Sequence, residues 1–154
     1  MLEVGTGSGI IASSLQGYAR VYATDINPHA VGYAHSQGVD VIRTDLVSGL
    51  RKVFTLVLFN PPYLPTSTTE RSDDWLEYAL DGGPDGRHTL SRFLSQVPGV
   101  LASGGRIIIL ISSLQSIPAC ERLFEHFGFS YEHMQSEMLE DGEELRIYLL
   151  TINR

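Results

Sequence analysis

Cysteine is almost absent: among 154 residues there is only Cys120. An intrachain disulfide cannot form, a cysteine-based metal site cannot be built, and the thiol content gives no sign of an oxidising compartment. Long apolar runs are missing as well. The longest all-aliphatic stretch, Ile107 to Ile111, is far short of the roughly 20 apolar residues that a membrane-spanning helix needs. Positive charge is scarce, with 11 Lys+Arg against 18 Asp+Glu and a formal net charge of −7. Binding to the backbone of duplex nucleic acid draws on clustered cations, which sets that class back. No charged segment followed by an apolar one opens the chain, so no secretory signal is read and the expected compartment is the cytoplasm.

Hydrophobic residues make up 43% and charged residues 19%, enough apolar side chain for a true core. The expectation is one domain, residues 1–154. Apolar runs predict strands at Met1–Val4, Arg20–Thr24, Val39–Arg43, Phe54–Phe59, Arg106–Ile111, Phe129–Gln135 and Leu145–Ile152. Helical patterns lie at Ile10–Gln16, Pro28–Gln37, Arg87–Ala102 and Ile117–Phe127. Asn27-Pro28 reads as an N-cap followed by proline at the first helical position, and Gly38 and Gly128 stand where helix C-caps are expected. Alternating strands and helices predict an α/β fold, a doubly wound and mostly parallel seven-stranded sheet. Two strand patterns around Asp141-Gly142 read as a terminal hairpin, which makes the last strand antiparallel. Leu64 to Asp85 resists assignment and reads as a long functional or mobile loop. Because the chain opens directly into a buried strand, an upstream covering segment is expected.

The first strand runs into Glu3-Val-Gly5-Thr-Gly7-Ser-Gly9 at the start of a helix. Glycines there permit a tight turn and close approach of a ligand to the backbone. A dinucleotide fingerprint, G-x-G-x-x-G/A, would put Ile10 at its third glycine, and no lysine follows for a Walker A loop. The observed spacing is G-x-G-x-G with an acidic residue two before the first glycine. It resembles the S-adenosylmethionine loop of Rossmann-like methyltransferases. The second strand ends at Asp25, a carboxylate able to accept both hydroxyls of an adenosine ribose. Asp45 follows the third strand and can meet an adenine amino group. The bland alternative is a glycine-rich turn with Asp25 and Asp45 as helix caps.

Phe59-Asn60-Pro61-Pro62-Tyr63 ends the fourth strand, at the carboxyl edge where open α/β sheets bind ligands. It resembles the signature of methyltransferases that act on planar nitrogen. An amide nitrogen gives its lone pair to a π-system and is a poor nucleophile. Acceptors for its N–H bonds, here the Asn60 side-chain carbonyl and the Pro61 backbone carbonyl, enrich the nitrogen and aim its lone pair. Consecutive prolines stiffen the loop, which supports near-attack positioning. Tyr63 can pack on a planar substrate group. The bland alternative is that Pro-Pro merely ends a buried strand.

Taken together, these segments are similar to the HemK/PrmC family of protein-glutamine N5-methyltransferases, in its compact archaeal and eukaryotic branch. Glu3–Gly9, Asp25, Asp45 and Asn60–Tyr63 carry the general resemblance. Asp81-Gly-Gly-Pro-Asp-Gly-Arg87 and the acidic hairpin Asp141-Gly-Glu-Glu-Leu145 carry the closer one. The resemblance implies a Rossmann-like class I methyltransferase fold, here with its N-terminal cover missing. The implied cofactor is S-adenosylmethionine, held by Glu3, Gly5, Thr6, Gly7, Gly9, Asp25, Ile26, Asp45, Leu46 and Asn60. The implied catalytic loop is Asn60, Pro61, Pro62 and Tyr63, with no metal. It also implies the glutamine of the Gly-Gly-Gln motif in a class I translation release factor as substrate, and a small zinc-binding activator subunit on the Val39–Arg43 edge. Adenine-N6 or guanine-N2 methylation of nucleic acid stays open, since the same tetrad serves it. A non-catalytic partner-binding module stays open too, and a dehydrogenase is set back by the glycine spacing.

Other residues carry less. His29, His35, His88, His126 and His133 show no metal-ligand spacing. Cys120 reads as core filler beside Leu123 and Phe124. Trp75 with Asp73 and Asp74 is either a substrate-loop contact or a packed loop side chain. The run Glu137–Glu144 reads as a solvated hairpin face. Asp81 and Arg87 are expected to order the substrate loop or cap the next helix.

Overall fold

A computed structural model describes residues 1–66, 75 and 79–153. The strands are β1 (Leu2–Val4), β2 (Tyr22–Asp25), β3 (Asp40–Arg43), β4 (Phe54–Phe59), β5 (Leu101–Ser112), β6 (Phe129–Met138) and β7 (Glu144–Ile152). They form one seven-stranded sheet in the order β3-β2-β1-β4-β5-β7-β6. Pairing is parallel from β3 through β5, and β7 runs antiparallel to both β5 and β6, as the hairpin pattern predicts. The helices are α1 (Ile10–Leu15), α2 (Pro28–Ser36), α3 (His88–Gln96) and α4 (Ile117–His126).

Strand periodicity divides the core. On β1, Leu2 and Val4 enter one cluster with Leu90, Phe93 and Leu94 of α3 and Cys120 and Phe124 of α4. Glu3, between them, faces the other side and accepts a hydrogen bond from the Ala12 N–H of α1 at 3.0 Å. A smaller cluster there joins Ala12, Val21, Ala23, Ala34 and Val39. Phe59 packs on Phe93 at 4.3 Å between ring centroids, so the end of β4 is anchored one residue before Asn60. Cys120 is fully buried, as expected of core filler, and burial pushes its thiol up to about 12.

Two boundaries differ most from the sequence pattern, the others shifting by a few residues at most. The helix expected over Arg87–Ala102 stops at Gln96 and gives way to a 3-10 turn, Val97–Gly99. Pro98 offers no N–H to the helix ladder and its ring crowds the preceding turn. Strand β5 then starts at Leu101 rather than Arg106. Its register against β4 shifts between Phe54↔Leu101 and Leu56↔Arg106, so Gly104-Gly105 lies in an irregularity within the strand.

The segment read as one long loop is tied together at its described ends. Leu64 bridges Asp81, and Thr66 N–H donates to the Gly83 carbonyl at 3.0 Å. Asp81 accepts hydrogen bonds from the Thr66 hydroxyl and from Gly83 N–H. Backbones approach too closely here for side chains. A methyl group on Gly82 would lie 2.7 Å from Gly86 Cα, and one on Gly86 would lie 2.5 Å from the Tyr63 carbonyl oxygen. Gly86 also has φ +72°, a conformation that costs other residues roughly 1–2 kcal/mol. Asp73 and Asp74 lie outside the described residues, and Trp75 is half-buried.

Gly86→Ala is therefore expected to destabilise the fold by at least about 2 kcal/mol, from overpacking and backbone strain together. The check is the urea midpoint of the variant against the wild type.

Candidate functional site

The carboxyl ends of β1, β2 and β4 are flush. Val4 pairs with Thr24 on one side and Phe59 on the other, so Gly5, Asp25 and Asn60 leave the sheet side by side. The Gly5, Gly7 and Gly9 residues have φ of +67°, +54° and +75°, which explains three glycines at alternating positions. They are not equivalent. A methyl on Gly9 would lie 3.0 Å from Ala34 Cβ, so this glycine lets the loop pack on α2. A methyl on Gly7 would meet nothing within 4 Å, which leaves open space above the loop.

Two carboxylates hold the loop. Glu3 is 5% exposed and accepts from the Thr6 hydroxyl at 2.6 Å and from Ala12 N–H. Desolvation outweighs these bonds and holds its carboxyl above the usual range. Asp25 is half-buried and accepts from Gly7 N–H at 2.8 Å and Asn27 N–H at 2.9 Å. Each Asp25 oxygen keeps lone pairs free for a further donor. Asn27 in turn caps α2 by accepting from His29 N–H at 2.9 Å, as its place before Pro28 predicts.

Beyond β3, Arg43 Nε donates to the Ile26 carbonyl at 3.3 Å. Leu46 lies in the core at φ +53°, a left-handed backbone that a leucine adopts only at a cost. What Leu46 can offer a ligand is therefore its backbone. Such strain concentrates at functional sites, and no sequence pattern marks it here. Asp45 forms an ion pair with Arg92 of α3, a partner that the sequence did not disclose.

Asn60 is exposed, and its side chain makes no hydrogen bond among the described residues. Pro61 is buried, while Pro62 and Tyr63 are half-buried. The floor beneath them comes from a residue that sequence reasoning missed. Gln115 is fully buried, donates from Nε2 to the Gly86 carbonyl at 2.7 Å and accepts from Ser112 N–H at 3.2 Å. Its backbone carbonyl accepts from Arg87 Nη1 at 2.7 Å, and Arg87 also pairs with Asp85. Gln115 thus presses Gly86 against the Tyr63 backbone. A lone glutamine after a strand gives no such signal. The Glu137–Glu144 run is exposed over most of its length, as expected of a solvated face, and its end, Glu143 and Glu144, is half-buried against the end of β5. Ser112 Oγ donates to Glu143 at 2.5 Å, and Glu144 N–H donates to Ser113 Oγ at 2.9 Å. Both serines end or follow β5, so the hairpin tip joins the same edge.

Comparisons with known proteins agree with this geometry. The chain matches no family model. It is 38% identical to a Methanocaldococcus jannaschii protein named for protein N5-glutamine methyl transfer, over 96% of this chain and 78% of that one. It is 40% identical to a release factor glutamine methyltransferase of Moorella thermoacetica, over 73% of this chain but 46% of that one. Among solved structures it superposes on the E. cuniculi Mtq2–Trm112 complex, described as responsible for methylating the eRF1 translation termination factor. There the TM-score is 0.79, with 25% identity, over 99% of this chain and 84% of that one. The fold is that of class I S-adenosylmethionine-dependent methyltransferases, and the chain belongs to the HemK family of protein N5-glutamine methyltransferases.

Proposed function

We propose that this chain transfers a methyl group from S-adenosylmethionine to the side-chain amide nitrogen of the glutamine in the Gly-Gly-Gln motif of a class I release factor. One observation carries the reading: an Asn60 side chain with no hydrogen bond among the described residues stands at the same sheet edge as the glycine loop and Asp25, in a chain whose relatives are named for glutamine methylation. The net charge of −7 favours a protein substrate over nucleic acid.

The residues present fit the cofactor. Open space over Gly7 admits a ligand to the backbone, and Asp25 has lone pairs left for ribose hydroxyls. Glu3 and Thr6 shape the loop, Gly5 and Gly9 permit its turns, and Ile26, Asp45 and Leu46 line the adenine side. When bound, S-adenosylmethionine supplies the methyl group and, as a sulfonium, a neutral leaving group. The Asn60 side-chain carbonyl and the Pro61 backbone carbonyl accept the two amide N–H bonds of the substrate. That interaction draws electron density onto nitrogen and turns its lone pair toward the methyl carbon. The amide becomes far more acidic once methylated, so its proton passes to solvent without a strong base. Pro61 and Pro62 keep the two acceptors from moving as charge develops. Tyr63 stacks on the planar amide.

A partner reading accompanies this one. Strand β3 ends the sheet, and Ile42 on it is 44% exposed. An unpaired edge of this kind invites strand addition by another chain. The Mtq2 relative is itself found in complex with Trm112. The occupant of this edge is a small zinc-binding activator subunit.

Three outcomes are expected. Asn60→Ala lowers kcat for methyl transfer to a release factor by about 100-fold or more, the scale of a lost transition-state hydrogen bond, and leaves cofactor affinity largely intact, since Asn60 is one of many residues at the cofactor. Full activity in that variant overturns the mechanism, and transfer to tRNA, rRNA or DNA in place of the release factor overturns the substrate. Asp25→Ala weakens cofactor binding by about 10- to 100-fold in calorimetry, from loss of charge-assisted bonds. Ile42→Asp abolishes co-purification of a small subunit with the chain while its thermal midpoint stays unchanged.

A further inference from the structure

Asp45 is held differently from the other carboxylates at this edge. Its backbone is fixed without help from its side chain. Strand β3 runs level with β2, Asp25 opposite Arg43, and Thr44 N–H donates to the Asp25 carbonyl at 3.0 Å. Ser48 N–H donates to the Asp45 carbonyl at 3.1 Å, and Thr44 Oγ1 donates to the Ser48 carbonyl at 3.0 Å. The next two residues, Leu46 and Val47, are buried in the core. The side chain is gripped from elsewhere: Arg92 Nη2 donates to Asp45 Oδ2. Asp45 Oδ1 accepts no hydrogen bond among the described residues. Arg92 sits on α3, whose Leu90, Phe93 and Leu94 are fully buried, so the guanidinium projects from a helix anchored in the core. The side chains of Arg92 and Asp45 are 40% and 41% exposed, and an ion pair so open to solvent adds little to the stability of the fold. What it supplies is direction. Asp25 is aimed by two main-chain N–H groups, whereas the Asp45 carboxylate has Arg92 alone among the described residues.

We propose that Arg92 is a positioning residue for the cofactor: it holds the Asp45 carboxylate by one oxygen and leaves the other to accept from the adenine amino group of S-adenosylmethionine. The proposal rests on the cofactor reading given above, in which Asp45 lies on the adenine side. A carboxylate that swings freely gives up its rotation when a ligand binds, and one already held by a guanidinium does not. Arginine suits the task better than lysine, because its planar group is pre-organised and fixes direction as well as charge. The contact uses Oδ2 and leaves Oδ1, so an amino N–H is accepted without breaking the ion pair. The same helix packs Phe93 on Phe59, one residue before Asn60. One element therefore braces the adenine side and the acceptor loop together.

The test is calorimetric binding to the full chain of S-adenosylmethionine and of its analogue with hydrogen in place of the adenine amino group. Wild type is expected to bind the analogue about tenfold more weakly, the scale of one hydrogen bond to a charged acceptor. Arg92→Ala is expected to weaken S-adenosylmethionine about fivefold and to leave the Kd of the analogue unchanged, because the guanidinium serves only the amino group. In an Asp45→Ala background the same change is expected to cost nothing further. Arg92→Lys, which keeps the charge without the planar group, recovers part of the loss and serves also if the alanine variant does not fold. An Arg92→Ala cost that falls equally on both ligands overturns the proposal, since a merely structural role would produce it. A cost that persists in the Asp45→Ala background overturns it too, as does a wild type that binds the two ligands equally. A chain that binds neither ligand overturns the cofactor reading itself. Methyl transfer to a release factor, measured on the same wild-type sample, separates this proposal from the activity. The expected binding pattern without transfer upholds the role of Arg92 and overturns the activity. Transfer with no effect of Arg92 on binding does the reverse.

Discussion

The parallel pairing of β1 with β2 and β4 at once is the constraint on which the site depends. Val4 stands level with Thr24 and Phe59, so the glycine loop, Asp25 and Asn60 emerge at one height. Parallel strands need crossovers, and each crossover here returns through α1, α2, the segment before β4 or α3 to the opposite end of the sheet. The carboxyl ends of these parallel strands then gather on one edge. A shift of β1 by one residue would turn Leu2 and Val4 out of the core and Glu3 into it, so the hydrophobic pattern itself enforces the register.

That edge is rigid for different reasons on its two sides. On the cofactor side, main-chain N–H groups are gathered onto carboxylates: Glu3 takes Thr6 and Ala12, and Asp25 takes Gly7 and Asn27. Burial makes the Glu3 charge costly, yet the loop needs an acceptor there, and desolvation is offset in part by those two bonds. On the acceptor side, close packing does the same work. Tyr63, Gly86 and Gln115 come from three separate segments and meet because two glycines carry no side chain.

The acidic balance of the chain takes on meaning in this setting. Excess carboxylates are not only a solvated coat. Asp25 and Glu3 shape the glycine loop, Asp81 and Asp85 fold the segment before α3, and Glu143 closes the edge at the hairpin tip. Three of the cations are drawn into the same framework: Arg87, Arg92 and Arg146 each pair with a carboxylate. A family acting on the amide of a protein side chain needs neutral acceptors and a stiff loop more than it needs a basic surface.

By itself the sequence determined what is local. Apolar runs located every strand, Asn27-Pro28 marked the start of α2, and Asp141-Gly142 marked the hairpin, because these signals act within a few residues. The glycine spacing, Asp25 and Asn60-Pro-Pro-Tyr63 were legible for the same reason. The helical pattern runs on past Pro98, but the missing N–H there ends α3 at Gln96. Only the tertiary structure decided the rest. Asp45 meets Arg92, Gln115 meets Gly86, and Glu143 meets Ser112 across 47, 29 and 31 residues of chain. Such pairings follow from how crossovers return to the sheet, not from any spacing along the chain. Leu46 shows the same limit in one residue: its left-handed backbone is imposed by the packing around it, where its own preference points elsewhere.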